Sequence, residues 1–338
     1  IKDTLVDDSW PKFLHPYPLS EKHFLVSCKP DPASPWGVYL VDIFDNMLPL
    51  KIEPGWALFE PLPLRKTERP PVIIDKVKLS EKNATVYLHD IYAGQGLRGV
   101  PRGTVKSLRL FQYEYSYRNQ GGHYFIGMEG GWDVRRIIGT VDVETDGSAF
   151  FSIPANTPVA VQPLDAEGKA LQQMRSWFVG MPGEVVSCVG CHELQNSTTA
   201  LRLGLAARKT PDEPKAWRGP KRGFGFAREV QPVLDKYCVG CHDGGKPGRP
   251  NFADTKIIPT SGGISALPGS YLALHPYVRR NGPEGDYHTL TPLEFHANTS
   301  LLVQMLRKGH HNVKLDEEAW NRLITWIDLN VPAYGTFH

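Results

Sequence analysis

Hydrophobic and polar positions follow two different rhythms along this chain. Between residues 22 and 50 they alternate over short runs, "HFLVSCK" and "WGVYLVDIF", broken by Pro30, Pro32, Pro35 and Gly37. That pattern predicts a β-meander of the kind that forms a propeller blade. Proline then crowds the stretch 54–71, where no regular element can continue. Strand-like runs resume at 84–88, 105–117, 137–143, 149–153 and 159–164, separated by turn signals such as Asp146-Gly147 and Glu167-Gly168. Their spacing predicts a β-sandwich. Within 105–117, Phe111, Tyr113, Tyr115 and Tyr117 alternate with polar residues, as in a strand with one buried face.

Past residue 191 the rhythm changes. Basic, Gly- and Pro-containing connections over 202–223 lead into apolar positions at Phe226, Val230, Val233, Leu234 and Tyr237, the spacing of an amphipathic helix, with Pro232 in its first turn or at a kink. Residues 300–308 read as a helix stopped by Gly309. Asp316 caps another, with Trp320, Leu323, Ile324 and Ile327 on one face and Pro332 closing it.

Composition narrows the classes. The 338 residues exceed what one core usually fills, so several compact units are expected. Basic and acidic residues are interspersed and sum to a formal charge of +2, which leaves no electrostatic footprint for nucleic acid or anionic membrane. No apolar run is long enough to span a bilayer. Ile1 is not followed by a leader-like pattern, and the chain reads as part of a longer parent.

The chemistry lies in a duplicated pentapeptide, Cys188-Val189-Gly190-Cys191-His192 and Cys238-Val239-Gly240-Cys241-His242. In CxxCH, two thiols add to the vinyl groups on one porphyrin edge while the next residue places its imidazole beneath the iron. Five Cys and twelve His scattered by chance would give far fewer than one such unit. The motifs predict two covalently bound haem c groups, with His192 and His242 as iron ligands. A thioredoxin-type redox pair expects a βαβ context that is lacking, and a zinc site built from both pairs needs no His after each. Zinc or calcium is therefore not indicated. Cys28 is left as a buried thiol.

The sixth iron position separates electron transfer from substrate chemistry. His310, just after Gly309, is the first candidate at the second haem; His311 and Met305 are its alternatives. At the first haem none of His15, His23, His89, His123, His275, His288 and His296 stands out. Arg175, Arg279 and Arg280 are candidates for haem propionates, and Glu193 and Asp243 for tuning the neighbouring imidazoles.

Two stretches, "DGSAFFSIPANTPVAVQPLDAEGKALQQMRSWFVGMPGEVVSCVGCHE" and "LLVQMLRKGHHNVKLDEEAWNRLITWIDLNVP", resemble hydrazine synthase alpha-subunit-like cytochromes, and the resemblance runs over nearly the whole chain. That family combines a propeller, a β-rich middle domain and two c-type haems, one catalytic and one bis-His for electron delivery. Through "KGHH", the resemblance implies His310 as the distal ligand of the second haem. The family's catalytic haem takes a tyrosine four residues after the motif histidine, which can bind zinc instead. Asn196 stands here and cannot offer a phenolate, so His192 is expected to bind iron in the ordinary way.

The expected fold is an α+β multidomain chain. Residues 1–60 form a β-meander at the end of a propeller, 61–180 a β-sandwich-like middle domain, 181–222 the first haem-binding segment, and 223–338 a mainly α cytochrome c-like domain with the second haem. The expected function is electron transfer in a periplasmic or equivalent extracytoplasmic lumen, such as the anammoxosome. Partners would be other redox or haem subunits of a complex, or the N-terminal part of the same parent protein. The alternative is an oxidoreductase acting on a small nitrogenous substrate or peroxide, with the first-haem pocket around His192 as its centre.

Overall fold

Short alternating runs close into small sheets, because each can bury only one face and needs a partner to do it. The computed structural model describes residues 8–114, 126–128, 134–193, 196, 198, 203–260, 266–282 and 290–337. It divides into two units, Ile1–Ile74 and Asp75–His338. In the first, β1 (Lys12–Pro18), β2 (His23–Lys29), β3 (Gly37–Asp42) and β4 (Met47–Lys51) pair in sequence order as an antiparallel meander. Its core is small: Val26, Cys28 and Tyr39, with the Cys28 thiol donating to Met47 Sδ at 3.5 Å.

The second unit carries two three-stranded sheets. One has the order β10-β5-β8, with β5 (Asn83–Leu88) between β8 (Ala149–Pro154), antiparallel to it, and β10 (Val185–Cys188), parallel to it. The other is antiparallel, with β6 (Ser107–Glu114) between β7 (Val134–Asp142) and β9 (Val159–Leu164). Facing residues such as Val86, Leu108, Leu110, Phe151 and Ile153 form one core between them. The strand β6 is buried on both faces rather than one. Leu108 and Leu110 point into the sandwich, while Arg109, Phe111 and Tyr113 point into a second core on the far side. Tyr115 and Tyr117 lie outside the described residues.

That second core corrects the expected fold class. A mainly α domain over 223–338 does not form; the chain is β-rich. Among the described residues its helices include α1 (Phe226–Glu229), α2 (Gln231–Tyr237), α3 (Gly269–Leu274), α4 (Leu301–Arg307) and α5 (Glu317–Asp328), of which the last alone reaches 12 residues. A short hairpin of β11 (Ile257–Pro259) and β12 (Ala266–Pro268) lies among them. Connections rich in Gly and Pro, such as 244–250, keep the helices to one or two turns. Helices this short cannot pack into a bundle of their own, so their apolar faces use the β6-β7-β9 sheet. Phe226, Val233, Tyr271, Leu323 and Trp326 share one core with Phe111, Tyr113, Ile137 and Ala160. Each fully buried side chain of this size contributes about 1.5–3 kcal/mol.

Buried polar groups lock the helical layer to the sheet. Arg109, 2% exposed, donates to Gln162 Oε1 at 2.7 Å and to Thr325 Oγ1 at 3.2 Å, and lies 3.6 Å from Asp328. Asp328 accepts from the backbone of Ala170 (2.8 Å) and Ala297 (3.0 Å). Arg135 donates to the carbonyl of Leu329 at 2.6 Å, just beyond the end of α5. Burial raises the Asp328 pKa to about 6 against the pull of Arg109.

Candidate functional site

The first CxxCH unit grows out of β10. Cys188 is the last residue of that strand, opposite Leu88 of β5. The chain past β5 stays beside the motif: His89 N donates to Cys188 O (2.9 Å) and Asp90 N to Val189 O (3.1 Å). The loop 93–96 then closes over it, with Cys191 N donating to Ala93 O (2.8 Å), Gln95 N to His192 O (3.1 Å) and Gly96 N to Cys191 O (2.9 Å). Glycine is required at two of these contacts. A Cβ on Gly96 would lie 2.4 Å from Cys191 Sγ, and one on Gly190 would lie 2.3 Å from Ala93 O. His192 has a φ of 57°, a left-handed backbone that costs a non-glycine residue energy and is held here by these contacts.

Cys188, Cys191, His192 and Glu193 open onto a cavity of about 940 Å³. Its walls are mostly apolar and aromatic, including Phe151, Tyr113 and Trp177, with Gln172, Gln173, Met174 and Arg175 along one side. Burial, with the charge of Glu193, raises the Cys188 thiol to about 11 and Cys191 to about 12. Thiols so reluctant to ionise do not suit a redox CxxC pair, which depends on a depressed pKa. Of the seven scattered histidines, none lines this cavity among the described residues; His123 and His288 lie outside them. His15 packs on Phe59, His23 bonds Ser20 Oγ, His89 stands edge-on to Tyr87 and His275 lies against Tyr271. His296 is buried in the interior, where desolvation and the charges of Arg135 and Arg109 depress its pKa to about 4. Arg279 and Arg280 spend their Nε–H groups on the carbonyls of Glu294 and Met128. Asn196 is exposed.

The second unit is built locally. Helix α2 ends at Tyr237 and delivers Cys238, whose N–H still bonds the helix at Leu234 O (2.8 Å); His242 N closes the turn on Cys238 O (3.0 Å). Here Gly240 faces open space, and a Cβ would meet nothing within 4 Å. His242 Nδ1 lies 3.2 Å from Pro250 O, and the N–H donated there leaves Nε2 free to bind a metal. Across a slot stands His310, in the turn that follows the left-handed Gly309 (φ 92°). The two imidazole rings are 6.1 Å apart and tilted by only 26°. Face contact needs about 3.5–4.0 Å between carbons. Two metal–nitrogen bonds of about 2.0–2.1 Å plus the two ring radii come to about 6 Å. Cys238 and Cys241 border the same slot, with Leu302, Met305 and Val313 on its apolar side. Burial lowers the His310 pKa, helped by the charges of His311, His242 and Arg249, and favours the neutral imidazole that ligates. His311 also borders the slot but is exposed, with its ring turned 78° from that of His310.

These residues fit a haem at both places, by different evidence. At the second, His242 and His310 stand 6.1 Å apart with Cys238 and Cys241 bordering the same slot. At the first there are two thiols, one motif imidazole and a cavity large enough for a macrocycle. Each Cys pair borders its own cavity, so the four do not converge on one metal. The loop 93–96, Gln172 and the Pro250 carbonyl were not read from the sequence. Only the glycines of "YAGQGLRG" hinted at a close backbone approach there.

The chain is similar to known proteins in three respects. The family model for the hydrazine synthase alpha subunit middle domain matches residues 103–193. The curated hydrazine synthase subunit alpha of Kuenenia stuttgartiensis is 24% identical across 72% of this chain. A solved chain of Kuenenia stuttgartiensis hydrazine synthase superposes over 97% of this chain with a TM-score of 0.65 at 18% identity. The chain spans 40% of the curated relative and 56% of the solved chain. It thus shares the fold of that part of hydrazine synthase and resembles its alpha subunit in sequence.

Proposed function

We propose that this chain is a dihaem c-type cytochrome that transfers electrons as a redox subunit of a larger haem complex related to hydrazine synthase. The compartment is extracytoplasmic, a periplasm or an anammoxosome. The observation that carries this reading is the His242–His310 pair, near parallel at 6.1 Å with Cys238 and Cys241 at the edge of the same slot. Haem held there supplies one-electron redox chemistry. The chain's own part is to hold two imidazoles fixed through Pro250 O on one side and the Gly309 turn on the other, so that little moves when charge changes. No described helix is long and apolar enough to cross a membrane. Pyridine haemochrome analysis of the purified full chain should give two haems per polypeptide, and low-temperature resonance should give one bis-imidazole low-spin signal assignable to the second motif. A single haem, or no bis-imidazole signal, would sink the reading.

A second reading concerns the first site. Its cavity of about 940 Å³ shows one imidazole, His192, among the described lining residues. That supports a small nitrogenous or peroxide-type substrate reacting there, with Arg175 as a polar group on the wall. Adding nitric oxide, hydroxylamine or peroxide should then perturb one haem spectrum and leave the bis-imidazole one alone. An unchanged spectrum with all three would remove this reading and leave pure electron transfer.

A further inference from the structure

We infer that Gln172 is a positioning residue for the first haem site, acting through the backbone segment Gln95–Gly96; the inference rests on the reading that His192 and its two cysteines hold a haem. Gln172 is 5% exposed and lies on the wall of the 940 Å³ cavity. Its side-chain amide is engaged in both roles, with both donor hydrogens used. Nε2 donates to Gly96 O (2.9 Å) and to Leu290 O (2.7 Å), and Oε1 accepts from Gln173 N (2.9 Å). Gly96 is the residue whose Cα lies against Cys191 Sγ and whose N–H holds Cys191 O, while the N–H of Gln95 holds His192 O. The backbone of Gln95 and Gly96 therefore grips the cysteine and the histidine of the motif, and Gln172 grips the same segment through the carbonyl of Gly96.

No helix presents this motif, so something else must resist the left-handed backbone at His192. The anchor behind Gln172 is firm. In the amide orientation that satisfies both partners, Gln173 Oε1 accepts from Arg135 Nη1 (2.8 Å) and Nη2 (2.9 Å), and Arg135 also bonds Leu329 O. The strap is thus braced against the interior of the protein. Outer-shell groups of this kind set ligand orientation, and losing one typically costs about 10–100-fold in metal affinity or activity.

Two variants test this, with the second haem as an internal control. Gln172→Met keeps the volume and removes all three hydrogen bonds. Gln172→Glu keeps the acceptor but turns a carboxylate toward the carbonyls of Gly96 and Leu290. We expect the resonance signature and midpoint potential of the first haem to move in Gln172→Met and further in Gln172→Glu, while those of the second stay in place. A role in packing alone predicts that Gln172→Met matches the parent protein. That result, or equal movement of both haems, would overturn the inference. Where the variants do not fold, hydrogen exchange on the unmodified holoprotein decides: the Gln95, Gly96 and Cys191 amides should be protected like those of β5, and free exchange there would overturn it. Absence of haem at Cys188 and Cys191 in the unmodified protein would instead defeat the underlying reading, before any variant is made.

Discussion

The same five letters, CVGCH, occur twice in this chain and fold in two different ways. At 238–242 the motif is a continuation of helix α2, and its hydrogen bonds are to residues a few positions away. At 188–192 it is the end of a parallel strand, held by residues about a hundred positions earlier. A local motif carries its geometry with it. A nonlocal one has its geometry imposed, and its surroundings can be shaped separately from the attachment chemistry. The second motif closes on a slot between two imidazoles, the arrangement on which the proposed electron relay rests. The first opens on a cavity with space left over.

This contrast can be broken most decisively at the second site. Replacing His310 with Ala should abolish the bis-imidazole low-spin signal and leave the first haem's spectrum as it was, whereas His311→Ala should leave both unchanged; resonance spectra check this. The next effect falls on the core that serves both sites. Asp328→Asn turns an amide donor toward the N–H of Ala170 or Ala297 and strips the buried Arg109 of its counter-charge. It should cost about 1–3 kcal/mol in denaturant unfolding, the penalty of leaving one of those buried N–H groups unpaired.

Acid probes the same interior. His296 is held below its unfolded value, so the unfolded chain takes up a proton that the folded chain refuses between pH 6.5 and about 4. Its contribution to stability is complete above that window and is lost as the pH falls through it, by about 2–3 kcal/mol near pH 4.5. Asp328 runs in the opposite direction, since a raised carboxyl pKa favours the folded state as the pH falls through about 6. The parent protein should therefore show a shallow net slope, and His296→Gln should gain stability relative to it on acidification. Equal slopes for the two proteins in chemical denaturation between pH 7 and 4.5 would contradict the assignment.

The smallest effect is the sharpest test of the comparison. Gly190 and Gly240 occupy the same place in identical motifs, yet a methyl at the first strikes Ala93 O while one at the second meets nothing. Gly190→Ala should destabilise by about 1–3 kcal/mol through overpacking. Gly240→Ala should be neutral or slightly stabilising, within about 1 kcal/mol, because it restricts the unfolded chain. Equal melting shifts would mean that the two motifs are held alike after all.

Much of the secondary structure was legible because its causes are local. Asp316 caps α5 through a 2.8 Å bond to Ala319 N, Gly309 ends α4 with a left-handed residue, and the alternating runs became β5 to β9 within a few residues. The architecture of the C-terminal part was not legible. Helical spacing says that a segment has an apolar face, and it is silent on whether that face meets another helix or a sheet. Trp326 and Leu323 pack with Phe111 and Tyr113 of β6, a pairing across some two hundred residues that no window of sequence contains.

The sequence by itself determined where the two CxxCH units stand, and with them the proposed haem attachment, since thiol addition to the porphyrin edge and ligation by the next imidazole need only the five residues and their spacing. It also carried the His310 candidate, through the turn that Gly309 permits. Tertiary structure alone decided what lies opposite each motif, because a facing group is chosen by packing and not by order along the chain. It set an imidazole 6.1 Å from His242, and it gave His192 a braced strap and a wide cavity.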